Sequence, residues 1–117
     1  QVEWLDQVLK NNPAKYKIVS MHYPANSDAT DNSKEFIPIY DKYNVDLVFF
    51  GHTHRPYWEE NSGTLYLNPG SCSRPRGGHP PSFAVVSFPG MRDRYDVSFF
   101  GIRSELFGKY SFYPISL

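Results

Sequence analysis

The chain has 117 residues, the length of a single domain, and its 12 Lys plus Arg balance 12 Asp plus Glu, for a formal net charge of +0. That balance gives no electrostatic footprint for a nucleic acid or an anionic membrane surface. One cysteine, Cys72, excludes an internal disulfide framework, and no run approaches the roughly 18 apolar residues of a membrane-spanning helix.

Aromatic residues are abundant, with 9 Tyr, 9 Phe and 2 Trp, which favours an aromatic-packed, β-rich body. The chain opens in a helical pattern without an initiating Met, so further residues are expected upstream. Within Gln1–Lys10, Trp4, Leu5, Val8 and Leu9 fall on one helical face, and Asn11-Asn12-Pro13 ends the helix. Tyr16–Met21 reads as a strand that stops at His22-Tyr23-Pro24. A polar loop, Ala25–Asn32, follows, and Asp31, Asn32 or Ser33 caps a helix running to about Tyr43. Pro38 either kinks that helix or opens a second short one. Val45–Phe50 is short and almost wholly apolar, the pattern of a strand covered on both faces. Helix, strand, helix, strand in this order implies parallel pairing through a right-handed crossover.

Beyond Pro56 the texture changes. Trp58–Glu60, the turn Asn61-Ser62-Gly63 and Thr64–Leu67 form a hairpin, Asn68–Ser71 is a tight turn, and Arg74–Pro81 is a Pro/Gly-rich loop. Ser82–Phe88, Tyr95–Ile102 and Phe107–Ile115 read as three further strands, separated by Pro89-Gly90 and Arg103–Glu105. In the tail, Tyr95, Val97 and Phe99 alternate with Asp96, Ser98 and Phe100, a period of two that predicts antiparallel strands. Membrane docking by these aromatics is disfavoured, because no basic face accompanies them.

Gly51-His52-Thr53-His54-Arg55-Pro56 places two imidazoles one residue apart directly behind the Val45–Phe50 strand. Loops beyond the C-terminal ends of parallel strands are where such sheets carry function. Gly51 lets the backbone turn sharply and approach a ligand, and imidazole suits zinc-, iron- and copper-type ions. Two solvated loop histidines are the plain alternative. His22, also just past an apolar strand, is expected at the same sheet edge, so His22, His52 and His54 are expected to converge, with Asn68 and Ser71 near them.

Three segments in order then resemble the C-terminal half of a calcineurin-like metallophosphoesterase: Ile18-Val19-Ser20-Met21-His22, Gly51-His52-Thr53-His54-Arg55-Pro56 and Asn68-Pro69-Gly70-Ser71. The stretch from Gln1 to Gly51 looks most like purple-acid-phosphatase-type members, and Arg55-Pro56 with Asn68–Arg76 more like small bacterial phosphodiesterases. The resemblance covers roughly residues 1–88 and implies an α/β fold. This would be the C-terminal part of a four-layer αββα sandwich, with a parallel or mixed sheet followed by antiparallel strands. It also implies hydrolysis of phosphate mono- or diesters at a site of two divalent or trivalent ions, Mn, Fe or Zn. By family pattern His22 and His52 would bind one ion and His54 the other. Asn68, Gly70, Ser71 and Arg55 would form the substrate side, with Arg74 and Arg76 nearby. Imidazole ligates only when neutral, so affinity is expected to fall in acid.

The family's first half normally supplies the motifs D-x-H, G-D-x-x-[DN] and G-N-H-[DE], and none of them is present. Asp28, Asp31 and Asp46 lie in no such motif, and His79 reads as a loop residue. The expectation is a single metallophosphoesterase domain of which residues 1–117 are the C-terminal portion. It would be active only with its N-terminal half, as part of the same polypeptide or on a separate chain, and inactive alone. No catalytic acid is assigned. Two alternatives stay open: a non-catalytic protein-binding scaffold of the same fold, and a mononuclear zinc site with three His ligands.

Overall fold

The computed structural model describes residues 2–23, 33–88 and 95–117. The expected polar loop Ala25–Asn32, the caps Asp31 and Asn32, Asp28, and the break Pro89-Gly90 lie outside the described residues. The elements in order are α1 (Val2–Asn11), β1 (Ile18–Met21), a 3₁₀ turn (Ser33–Phe36), α2 (Ile37–Lys42), β2 (Leu47–Phe50), β3 (Pro56–Asn61), β4 (Thr64–Pro69), β5 (Ser82–Ser87), β6 (Asp96–Ser104), a second 3₁₀ turn (Leu106–Gly108) and β7 (Tyr110–Ile115). The strands form a four-stranded sheet of order β1-β2-β4-β3 and a three-stranded sheet of order β5-β6-β7. Contacts group the chain into two compact units, Gln1–His52 with Glu59–Leu67, and Thr53–Trp58 with Asn68–Leu117.

In the first unit, β2 pairs in parallel with β1 and with β4, in the registers Val19↔Val48 and Val48↔Tyr66. The strand starts are pinned from the side. The Asp46 carboxylate accepts the Lys17 N–H at 2.8 Å, and the Asp46 N–H donates to the Lys17 carbonyl at 2.9 Å. Asp46 therefore has a structural task. Beyond the strands, the Gly51 N–H donates to the His22 carbonyl at 3.0 Å, which ties the loop after β2 to the loop after β1.

The core of this unit is Leu5, Ile39, Tyr40, Val45, Val48, Phe50 and Tyr66. Of the face expected on α1, Leu5 is buried and Leu9 half-buried, but Trp4 is 67% exposed. Val2, Leu5 and Leu9 define the inward stripe, and Trp4 lies well round the helix from it at about 100° per residue. The helix ends as its sequence dictates: Asn12 Nδ2 donates to the Val8 carbonyl at 2.7 Å, and Pro13 cannot continue it. Pro38 stands in the first turn of α2, where its missing N–H costs nothing, so the second short helix is the outcome. In β2, Leu47, Val48 and Phe50 are buried while Phe49 is 37% exposed, so the strand is not covered evenly on both faces. β4 is the most buried strand, running inside from Thr64 to Asn68. The turn between β3 and β4 has φ of 53° at Ser62 and 83° at Gly63, two consecutive left-handed residues suited to a tight hairpin.

In the second unit, β5, β6 and β7 are antiparallel throughout, with Ser82↔Gly101 and Gly101↔Tyr113 directly opposite. Expected strands are present, but the last connection differs. β6 continues to Ser104 and β7 begins only at Tyr110, because Phe107 (φ 62°) and Gly108 (φ 72°) form the tip between them. The Glu105 N–H donates to the Lys109 carbonyl at 2.7 Å and closes that tip. Pro114 is accommodated because β7 is an edge strand. Phe83 stacks on Phe100 and meets Phe112 edge-on, with ring centroids 5.3 and 5.2 Å apart.

Candidate functional site

His22 follows β1 and His52 follows β2, so parallel pairing of the two strands delivers both imidazoles to one sheet edge. The His22 Nε2 and the His52 Nδ1 are 3.3 Å apart, and the rings cross at 73°. Both side chains are exposed. Tyr23 completes the group, with its ring 4.8 Å from that of His22 and 4.6 Å from that of His52. Two imidazole nitrogens bound to one tetrahedral ion at about 2.0–2.1 Å lie about 3.3 Å from each other. The His22–His52 pair therefore has the spacing of two ligands on one cation.

The loop that carries His52 is unusual in its backbone. Gly51, expected to make the sharp turn, is not left-handed; the left-handed residues are His52 (φ 68°) and His54 (φ 58°). Each such non-glycine residue costs about 1–3 kcal/mol and persists only where its surroundings hold it.

In the second unit, His54 is half-buried and its Nδ1 lies 2.8 Å from the Arg74 carbonyl. A carbonyl only accepts, so Nδ1 is the protonated nitrogen, and in the neutral ring Nε2 is left with the lone pair, the tautomer in which a metal-ligating histidine is usually held. The Arg76 N–H donates to the His54 carbonyl at 3.1 Å, so the segment after the Asn68–Ser71 turn clasps His54 by ring and backbone. Among the described residues, no group of three or more His, Cys, Asp or Glu side chains could hold a metal ion. His22 and His52 lie together in the first unit, and in the second unit His54 is fixed on the Arg74 carbonyl.

Asn68 has 0% exposure, and its amide is used within the protein: Nδ2 donates to Thr53 Oγ1 at 3.0 Å, and Oδ1 accepts the Gly70 N–H at 2.9 Å. Gly70 is left-handed (φ 84°), and a Cβ there would overlap the Ser82 hydroxyl and come within 3.2 Å of Pro56 Cδ. Ser71 Oγ accepts the Arg74 N–H at 2.8 Å, and the Ser71 carbonyl accepts the Ser82 N–H at 3.0 Å. Arg55 is exposed, and Gly77 leaves it room: a Cβ on Gly77 would come within 2.8 Å of the Arg55 Nε. Arg74 and Arg76 are exposed, as is the free Cys72. His79 is half-buried, and its N–H donates to the Arg76 carbonyl at 3.4 Å.

Thr53 and Tyr23 were not legible as site residues from sequence. Thr53 stands between the two histidines, but a threonine in that position carries no pattern of its own. Its partner Asn68 is 15 positions away. Tyr23 had one available signal, its adjacency to His22 at the end of an apolar strand.

Residues 5–90 match the family described as the calcineurin-like phosphoesterase superfamily domain. The phosphodiesterase YfcE of Escherichia coli K12 is 42% identical over 41 residues, 35% of this chain and 22% of that protein. The 3′,5′-cyclic-nucleotide phosphodiesterase alr5338 of Nostoc is 33% identical over 81 residues, 61% of this chain and 30% of that protein. Among solved structures, Vps29 of Chaetomium thermophilum superposes with a TM-score of 0.57 at 16% identity, covering 89% of this chain and 54% of that one. A conserved uncharacterized protein of Streptococcus pneumoniae does so with 0.52 at 22%, covering 72% and 48%. At those identities the likeness concerns the fold, which is the α/β arrangement expected from sequence. The chain spans under a third of the two curated relatives and about half of the two solved structures. With the family match running across most of its length and through both histidine-bearing loops, the chain belongs to the calcineurin-like phosphoesterase superfamily.

Proposed function

We propose that this chain contributes His22, His52 and His54 to a site that hydrolyses phosphate mono- or diesters with two bound metal ions, Mn, Fe or Zn. The observation that carries the reading is the 3.3 Å separation of His22 Nε2 and His52 Nδ1 at the ends of two paired parallel strands. His22 and His52 would hold one ion and His54, through Nε2, the other. When bound, such ions lower the pKa of water and neutralise charge on the phosphoryl oxygens.

The chain's own residues do the rest. The Arg74 carbonyl keeps His54 in one tautomer. Asn68 contributes to the substrate side by shaping the turn, since its amide bonds Thr53 and the Gly70 N–H. Gly70 and Ser71 line that turn. Arg55, exposed beside the loop, offers a guanidinium fork for phosphate oxygens. The chain carries no carboxylate in a ligating motif, so the remaining ligands and the proton donor would come from an N-terminal half outside these 117 residues. On this reading the chain is inactive without that half. The purple-acid-phosphatase-like character of its first 51 residues belongs to the same proposal.

Both named relatives are phosphodiesterases, which makes a diester the first substrate to test. The experiment loads the full-length protein with Mn²⁺ and follows bis(p-nitrophenyl) phosphate and p-nitrophenyl phosphate, with and without chelator. Turnover that chelation abolishes is the expected result. Turnover that survives chelation would exclude the metal mechanism. Inactivity on both esters with metal demonstrably bound would favour the non-catalytic scaffold.

A further inference from the structure

Thr53 sits between the two candidate ligands of its loop, and its hydroxyl is the centre of a small network. Thr53 Oγ1 accepts from Asn68 Nδ2 at 3.0 Å and from the Arg55 N–H at 3.3 Å. Asn68 in turn is wholly buried at the end of β4, a strand that is inside from Thr64 onward, and its Oδ1 takes the Gly70 N–H. The anchor is therefore buried and hydrogen-bonded at both ends of its amide, and the loop is what it holds.

The need for restraint is visible in the backbone, because His52 and His54, on either side of Thr53, are both left-handed without being glycine. Resting on the metal reading above, we infer that Thr53 and Asn68 are positioning residues. Their hydrogen bond holds the Gly51–Arg55 loop in the backbone that presents His52 and His54 as ligands. Removing Oγ1 deletes the bond that ties the loop to Asn68, and it removes the acceptor of the Arg55 N–H at the same time. The two left-handed residues are then free to relax, and ligand atoms tolerate only about 0.2 Å of displacement at a metal site. The His54 ring bond to Arg74 does not substitute for this, since it fixes the ring and not the φ of either histidine.

The experiment compares Thr53→Val, isosteric but without the hydroxyl, with Thr53→Ser, which keeps it, and with His52→Ala, all in the full-length protein. The readouts are the Zn²⁺ dissociation constant and the visible absorption spectrum of the Co²⁺-loaded protein, whose bands report the ligand field. Thermal melting of each metal-free variant monitors folding. Thr53→Val is expected to weaken Zn²⁺ binding by about 10–100-fold and to change the Co²⁺ bands, as removal of supporting partners around ligands does. Thr53→Ser is expected to restore both. Thr53→Val that melts lower yet binds Zn²⁺ like the wild type, with unaltered Co²⁺ bands, would reduce Thr53 to a merely structural residue and overturn the inference. If His52→Ala itself leaves Zn²⁺ binding unchanged, the metal reading fails first, and the positioning role falls with it.

Discussion

His22 Nε2 and His52 Nδ1 approach to 3.3 Å although the residues are 30 positions apart and both side chains are exposed. Two acceptor lone pairs do not stay that close without a proton or a cation between them. If a cation is the usual occupant, His22→Ala and His52→Ala should each reduce metal affinity by more than about 100-fold, beyond what supporting residues contribute. Because both sites are exposed, the fold should lose little, within about 0.5 kcal/mol. His79→Ala should leave the affinity unchanged. Isothermal titration of each variant checks this, and an equal loss from His79→Ala would overturn the assignment of the pair.

Tyr66 lies in the core with its hydroxyl buried and, among the described residues, without a hydrogen-bond partner. Tyr66→Phe removes that orphan group and should stabilise the protein at neutral pH by about 1 kcal/mol, read from urea unfolding. A destabilised variant would show that the hydroxyl has a partner in solution, such as a buried water.

Burial, with the Asp41 and Glu59 carboxylates adding to it, also pushes the Tyr66 phenol from its ordinary 10.0 up to about 12. Burial raises Tyr40 as well, with Tyr66 contributing. A folded-state value above the unfolded one means the associated stability is fully present below about pH 10. It is then lost as pH rises from there through about 12. Unfolding free energy should therefore be flat at mildly alkaline pH and fall steeply beyond about pH 10, with a shallower fall in Tyr66→Phe. Identical alkaline profiles for the two proteins would remove Tyr66 as the cause.

How far these features were legible in sequence depends on the range of the forces behind them. The β1 and β2 runs, the Pro38 helix start and the Ser62-Gly63 turn are encoded by neighbouring residues, and they appear within a few positions of where they were expected. The placement of His22 and His52 followed because strand ends are local and parallel pairing is nearly forced by the intervening helix. Three things were not legible. The exposure of Trp4 depends on which stripe of α1 the core selects. The Leu106–Gly108 tip depends on a left-handed phenylalanine that no pattern announces. The Thr53–Asn68 bond depends on tertiary contact between a loop and the end of β4.

Gly101 is opposite Tyr113 in the β6–β7 ladder, and the Tyr113 ring covers it so closely that a Cβ would sit 2.6 Å from the phenolic oxygen. Arg103 stacks on the same ring, 4.8 Å from its centroid. Strand propensity alone favours alanine over glycine. The contact reverses that sign, because the ring must leave both the glycine and Arg103. Gly101→Ala should destabilise the protein by about 1–3 kcal/mol in denaturant titration, and Gly101→Ala with Tyr113→Ala should recover part of the loss. A neutral or stabilising Gly101→Ala would show that Tyr113 can move aside freely.

β1 is an edge strand of its sheet, hydrogen-bonded to β2 on one side, and Ile18 on it is 53% exposed. An edge of this kind, which no other described strand pairs and which has no charged side chain among Ile18–Met21, templates pairing with another chain. Phe49 on the neighbouring strand adds exposed apolar surface. The 117-residue chain expressed alone should therefore self-associate in size-exclusion chromatography with light scattering. Ile18→Lys, which places a charge on that edge, should move the population toward monomer. A monodisperse 13.5 kDa species that unfolds cooperatively and is indifferent to Ile18→Lys would show that the β1 edge is already protected within the chain.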